Sequence, residues 1–255
     1  MKKVLVLGSG ALKIGQAKAF DITFTGKDNQ LHHPFQTSWG VSTRMIGGII
    51  MTHGDNNGLV LPPRIAPIQV VVIPVAQHKP GVLDAAADLT ARLKAAGIRV
   101  KMDASEQSPG WKFAEYEMKG VPLRLEIGPK DIEKAQCVIA RRDNGEKTFV
   151  ALSDLESAVP ALLDQVHDGL YAKARENLEN HTYAAATLEE AKAIQEEKGG
   201  FVKTMWCGDL ACEMAMKEKA GMTSRCIPFA QEHLGDVCPV CGKPAVKMVY
   251  WGVAY

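Results

Sequence analysis

The sequence predicts an α/β protein with a cysteine-rich C-terminal segment, and three observations carry that prediction. Strand-length apolar runs alternate with helix-length amphipathic stretches between residues 66 and 170. Two Ser/Thr-x-x-Glu signatures, Ser153-Asp154-Leu155-Glu156 and Thr187-Leu188-Glu189-Glu190, then open long helices. Five of the six cysteines lie after residue 206.

In chain order, Met1 to Leu7 reads as a buried strand ending in the turn Gly8-Ser9-Gly10, without the cleavage pattern of a signal peptide. Phe20–Thr25 and Phe35–Trp39 look strand-like. A helix follows over Thr43–His53, capped by Ser42 or Thr43, with Gly54 suited to a left-handed end. Leu61-Pro62-Pro63 is a stiff break. Beyond it come a buried strand at Ile68–Pro74, a helix at Leu83–Ala96 closed by Gly97, and a strand at Ile98–Met102. Val121–Ile127, Ala135–Ala140 and Lys147–Leu152 complete the strands of this region, and the second capped helix stops at Gly199-Gly200.

The composition, 46% hydrophobic and 23% charged, excludes a disordered tail or a disulfide-stapled mini-protein. No apolar run approaches the roughly 18–20 residues of a membrane helix, so no membrane partner is expected and a cytoplasmic, reducing location is. The net charge of +1 conceals a gradient of +3 over 1–90, +3 over 91–150, −6 over 151–202 and +1 over 203–255. A nucleic-acid partner would therefore need a local patch, which 91–150 can supply and the acidic helices after it would repel.

Cys238-Pro239-Val240-Cys241-Gly242-Lys243 has the form of a metal knuckle, its two thiolates converging where Gly242 permits the turn. Paired with Cys207-x4-Cys212 it offers four soft ligands suited to tetrahedral, structural Zn²⁺. Disulfides and thioredoxin-like redox chemistry are the alternatives; the first is disfavoured in a reducing compartment and the second lacks its following helix. Cys226 and Cys137 are expected to be packed thiols.

Between 91 and 150, Trp111, Lys112, Phe113 and Tyr116 interleave aromatic with basic groups, a pattern suited to stacking unpaired bases. Glu117, Arg124, Glu126 and Lys130 add groups able to read guanine edges, a carboxylate accepting from N1 and N2 and a cation donating to O6 and N7. Arg124 and Glu126 could equally pair across a sheet, and Trp111 could pack in a core. His78, His167 and His181 read as surface residues. Upstream, Gln36 to Gly48 runs from a strand into a helix with Arg44 on its first turn. That arginine is either a solvated side chain or one that lies on a purine and reaches phosphate.

Residues 36–64, from Gln36-Thr37-Ser38-Trp39-Gly40 through Leu61-Pro62-Pro63-Arg64, resemble motif 3 of prolyl-tRNA synthetase, a class II aminoacyl-tRNA synthetase, in its archaeal and eukaryotic-like branch. Ser108-Pro109-Gly110-Trp111-Lys112-Phe113, Lys119 to Asp131 and Arg141 to Lys147 look like its anticodon-binding domain. Arg225-Cys226-Ile227-Pro228-Phe229, the cysteine array and Tyr250 to Tyr255 look like its zinc-binding domain. The resemblance covers about residues 17–255. It implies a remnant of the class II antiparallel catalytic sheet at 1–65, an anticodon-binding α/β domain with a mixed sheet at 66–170, and a small zinc-binding α+β domain at 171–255.

It also implies roles. Arg44 would stack on adenine and contact the phosphates of ATP, delivered with Mg²⁺; Ser42 would sit beside the nucleotide, and Trp39 and Gly40 would floor the adenylate pocket. Cys207, Cys212, Cys238 and Cys241 would hold zinc, and the Tyr255 carboxylate would reach toward the active site. Trp111, Lys112, Phe113, Glu117, Arg124, Glu126 and Lys130 would meet the anticodon of tRNA(Pro). The family reaction joins L-proline to ATP and then to the tRNA 3′ end, chiefly by positioning and charge screening.

Motifs 1 and 2, which supply this family's dimer interface and its α-phosphate arginine, find no match here. Residues 1–16 instead weakly resemble the opening of the carbamoyl-phosphate synthase large subunit. The expectation is an N-terminally truncated or spliced chain that retains tRNA recognition with little adenylation of its own. A non-catalytic RNA-binding module is the main alternative, and a nucleotide-binding enzyme built on Gly8-Ser9-Gly10 a distant third.

Overall fold

The computed structural model describes residues 21–34 and 42–253; Trp39, Gly40, Tyr255 and the Gly8-Ser9-Gly10 turn lie outside them. The chain divides into one unit of residues 46–176 and another of 1–45 with 177–255. Residues 46–65 thus fall with the sheet that follows them, not with the N-terminal segment.

Of the first 43 residues, the described part contributes a short antiparallel hairpin, β1 (Phe24–Thr25) with β2 (Leu31–His32). Helix α1 (Arg44–His53) follows. Gly54 is not left-handed as its sequence context suggests: its N–H continues the helix by donating to Ile50 O at 2.8 Å, where a Cβ would lie 2.6 Å from that oxygen. Glycine serves close approach here.

The 46–176 unit is built on five strands: β3 (Val70–Pro74), β4 (Val100–Met102), β5 (Leu123–Ile127), β6 (Gln136–Arg141) and β7 (Lys147–Ala151). Their order is β4-β3-β5-β6-β7, with β4, β3 and β5 parallel and β6 and β7 antiparallel, which makes the sheet mixed as expected. Val70, Val71, Val72 and Ile73 are wholly buried, so the central strand is covered on both faces. One face packs Val70, Val72, Leu123, Leu125 and Ile139 against α2 (Val82–Ala95) and the long α5 (Leu155–Asn180). Leu155, Val159, Leu162, Val166 and Leu170 recur at helical spacing and form the buried stripe of α5.

The opposite face packs Val71 and Ile73 against Tyr116 of α3 (Pro109–Met118). This helix, like the short α4 (Pro129–Glu133), is absent from the sequence prediction, although its signals are present: Ser108 Oγ accepts from Trp111 N, Pro109 opens the first turn, and Gly120 is left-handed at φ 70°. Leu59 N donates to Met118 O and Leu61 N to Gly120 O. That approach requires Gly58 (φ 128°) and Gly120, where a Cβ would meet backbone at 2.6 and 2.7 Å.

The signature at Ser153 does not form a capping box. Ser153 lies in a 3-10 turn (Leu152–Asp154), its hydroxyl bonds the neighbouring Asp154 carboxylate, and Glu156 pairs instead with Arg92 at 2.6 Å. Thr187 does cap α6 (Leu188–Glu197), accepting from Glu190 N at 3.1 Å, while the Glu190 carboxylate accepts from Ala186 N. In the C-terminal segment β8 (Thr182–Ala184), β9 (Phe201–Trp206), β10 (Thr223–Cys226) and β11 (Lys247–Gly252) form a sheet of order β10-β11-β9-β8. Trp251, 1% exposed, donates its indole N–H to buried Thr204 Oγ1 at 2.9 Å and anchors a small core with Val202, Met216, Met222 and Val249. Helix α7 (Leu210–Ala220) also escapes the prediction, despite an Asp209 cap and left-handed Gly221.

Candidate nucleic-acid interface and metal centre

Alternation along β5 sends Leu123, Leu125 and Ile127 into the larger core and leaves Arg124 and Glu126 together on the face beneath α3. Arg124 Nε donates to Glu126 Oε1 at 3.0 Å, so the pair forms along one strand instead of across two. The Arg124 guanidinium also lies 4.1 Å from the centroid of the Phe113 ring, a stacked cation–π arrangement. On the far side Lys147 Nζ reaches Glu126 at 3.3 Å and stands 5.9 Å from the same ring. Glu126 is 9% exposed and anchors two cations, while Phe113 and Arg124 carry the ring and the planar donor.

Trp111, on the first turn of α3, is 48% exposed and therefore not a core residue. Lys130 is exposed too. Glu117 is half-buried, its carboxylate accepting from Asn57 Nδ2 at 3.3 Å and its carbonyl from Arg142 Nε at 2.7 Å. Two residues of the sequence-derived aromatic–basic set do not reach the surface. Lys112 is 1% exposed and donates to Gln77 Oε1 (3.2 Å) and Asp103 O (3.0 Å), with the Asp103 carboxylate 3.9 Å away. Tyr116 is 4% exposed and packs under the sheet. The cause is helical period: with Trp111 outward, positions 112 and 116 share the inward face.

A second cation, missed by sequence reading, braces this region. Arg142 is buried, and its guanidinium grips Asp55 bidentately at 2.6 and 2.7 Å. The Arg142 hydrogen bonds hold the Asp55 carboxyl well below the usual carboxylate range, at about 2. The loop after α1 is thereby tied to the C-terminal end of α3.

At the other candidate site the Sγ atoms of Cys207, Cys212, Cys238 and Cys241 all lie within 4.8 Å of one another. Cys207 to Cys212 is 3.6 Å and Cys241 to Cys207 is 3.7 Å. A tetrahedron with Zn–S of about 2.3 Å requires sulfurs about 3.8 Å apart, so both the donor set and its spacing fit zinc. Cys212 sits on the first turn of α7, and burial together with the neighbouring Cys241 and Cys207 sulfurs pushes its thiol well above the usual range. Gly242, left-handed at φ 71°, closes the knuckle, with Gly242 N donating to Cys238 O and Cys238 N to Lys243 O. Burial pushes the Cys238 thiol up, but the N–H groups of Val240 and Cys241 outweigh it and bring the group to about 7. No helix follows Cys241 before β11, which leaves redox chemistry of the thioredoxin kind without its support.

Of the remaining cysteines, Cys137 is wholly buried, and burial raises its thiol to about 11. Cys226 is exposed at the irregular end of β10, contrary to the packed thiol expected, because the strand register shifts between Ser224 and Cys226. His78 and His181 lie at the surface, whereas His167 is half-buried on α5. Ser42 and Arg44 are exposed at the start of α1. Among the described residues no helix is long and apolar enough to cross a membrane.

Family models match in the same order as these features. Residues 69–162 match the anticodon binding domain, and residues 188–255 match the prolyl-tRNA synthetase C-terminal model. The chain is 56% identical over 239 residues to a proline–tRNA ligase 2 of Bacillus cereus, 58% over 239 to a proline–tRNA ligase of Clostridium novyi, and 61% over 241 to one of Ruminiclostridium cellulolyticum. Each alignment covers 94% of this chain and 50% of the relative, so the chain spans about half the length of the curated relatives it matches.

Proposed function

From the premise that this chain carries the C-terminal region of a prolyl-tRNA synthetase, we propose that it is the tRNA-reading part of a proline–tRNA ligase. The observation that carries this reading is the aromatic–cation group of the 46–176 unit, in which the partly buried Phe113 and Arg124 stack beside Glu126, with Trp111 exposed on the first turn of the same helix. Stacking and planar donors of this kind suit unpaired guanines, and the prolyl anticodon shares two of them. Exposed Lys130 and half-buried Glu117 would contribute to the same reader. Lys112, held inside, supports α3 from beneath and leaves the contact to its neighbours.

The domain assignment follows: the sheet and its helices as the anticodon-binding domain, and the segment from about residue 171 as a zinc-binding domain. Zn²⁺ on Cys207, Cys212, Cys238 and Cys241 would be structural, since protein thiolates fill the tetrahedron and leave no position for water. Proline activation with ATP and Mg²⁺, and prolyl transfer in the cytoplasm, belong to the whole ligase. Ser42 and Arg44 at the start of α1 would be this chain's contribution to the nucleotide pocket, together with Trp39 and Gly40.

Binding of tRNA(Pro) transcripts to the full chain, followed by fluorescence anisotropy over a salt series, tests the proposal. Affinity is expected to fall with rising salt and to drop when either anticodon guanine is replaced. Equal affinity for transcripts with unrelated anticodons would overturn it.

A further inference from the structure

The RNA-facing surface does not end at β5. Strand β7 is an edge of the five-stranded sheet, and its alternation buries Val150 at 7% exposure while leaving Phe149 at 67%. Lys147, two residues earlier, shares the Phe149 face. The register fixes which face that is: Phe149 pairs with Val138 and Val138 with Glu126, while Lys147 pairs with Ala140 and Ala140 with Arg124. Phe149 and Lys147 thus continue the two rows that hold Glu126 and Arg124, about 10 Å farther across the sheet for two strand spacings. Lys147 links the parts physically, since its ammonium contacts Glu126 at 3.3 Å and faces the Phe113 ring at 5.9 Å.

We propose that Phe149 is a second stacking platform, taking an unpaired base of the RNA loop next to the one held at Phe113 and Arg124, with Lys147 meeting the phosphate between them. This rests on the reading of the face as an RNA reader. Charge complementarity selects the occupant. Lys147, half-exposed on its side chain and on the same face two residues from the Phe149 ring, supplies the cation that suits a π-face joined to a phosphate. A bare phenyl group on an edge strand otherwise invites strand pairing, and the adjacent lysine opposes that.

The test uses the full chain and a stem–loop RNA carrying the prolyl anticodon, with 2-aminopurine at successive loop positions. Phe149→Ala is expected to weaken binding about tenfold and to abolish the quenching of one loop base, while Phe149→Trp retains both. Lys147→Ala should lower the slope of log affinity against log salt by about 1, with Lys147→Arg restoring it. Because Phe149 is exposed, circular dichroism of the Ala variant should match the parent. If Phe149→Ala binds within twofold of the parent while Arg124→Ala is impaired, the platform is wrong and the RNA-reading face stands. Unchanged affinity with an altered oligomeric state would assign the ring to contact between chains and overturn the proposal. Failure of the unaltered chain to bind the stem–loop overturns the reading of the face and the platform with it.

Discussion

The 46–176 unit and the C-terminal segment solve the same problem with different means. In the first, a central strand is wholly buried between helical layers, and polar ties such as Arg142–Asp55 are added to a core that already excludes water. In the second, a small cluster around Trp251 and Met216 supports one end, while the 207–242 region converges on four sulfurs. The difference teaches where each would fail. Apolar burial spreads stability over many contacts, whereas a segment held through a four-cysteine metal site would depend on one ion.

Metal removal should break the comparison most sharply. A strong chelator, or Cys238→Ser, is expected to abolish a zinc content of about one per chain and to unfold the 207–242 region, since structural zinc in small domains contributes roughly 10–16 kcal/mol. Hydrogen exchange would show that loss there and preserved protection in β3, β5 and β6. Equal loss in both regions would mean that they do not fold separately.

Leu125→Ala should do the converse. A buried leucine of the larger core is removed, at a cost of about 2–5 kcal/mol in denaturant unfolding of that unit, with zinc content unchanged. Arg142→Ala comes next at about 1–3 kcal/mol, discounted because Asp55 is 42% exposed on its side chain. The pH dependence has a definite sign. Asp55 is depressed in the folded state, so its contribution is complete above about pH 4 and is lost as pH falls through about 2. Asp55→Asn should flatten that acid limb of the stability curve. The smallest effect is expected for Trp251→Phe, which keeps a six-membered ring in the C-terminal core but removes the indole bond to Thr204 and leaves a small void, about 1–2 kcal/mol by thermal unfolding.

Legibility followed local physics. The fully apolar Val70–Ile73 run, the Gly97 and Gly199 stops and the paired-cysteine spacings depend on neighbours in sequence, and each is found where it was expected. Helices α3 and α7 carry cap signals as clear as that of Thr187, Ser108 with Pro109 for the first and Asp209 with Gly221 for the second, so their ends are legible in local sequence. The signature at Ser153 shows the opposite error, for a capping box competes with any stronger partner, and Arg92 offered Glu156 one.

The sequence by itself determined the α/β class, the likeness to a prolyl-tRNA synthetase C-terminal region and which four cysteines come together, because these rest on residue type, motif order and spacing. Only the tertiary structure decided which charges face outward. Lys112 is expected from the sequence to meet RNA, and Arg142 carries no sequence signal of its own. They are buried because helical period and strand register turned them toward acceptors, Asp103 and Gln77 for one and Asp55 for the other, that compensate for lost water. Phe149, by the same register, was turned out beside Lys147, which no local rule could choose without knowing that Val150 faces the core.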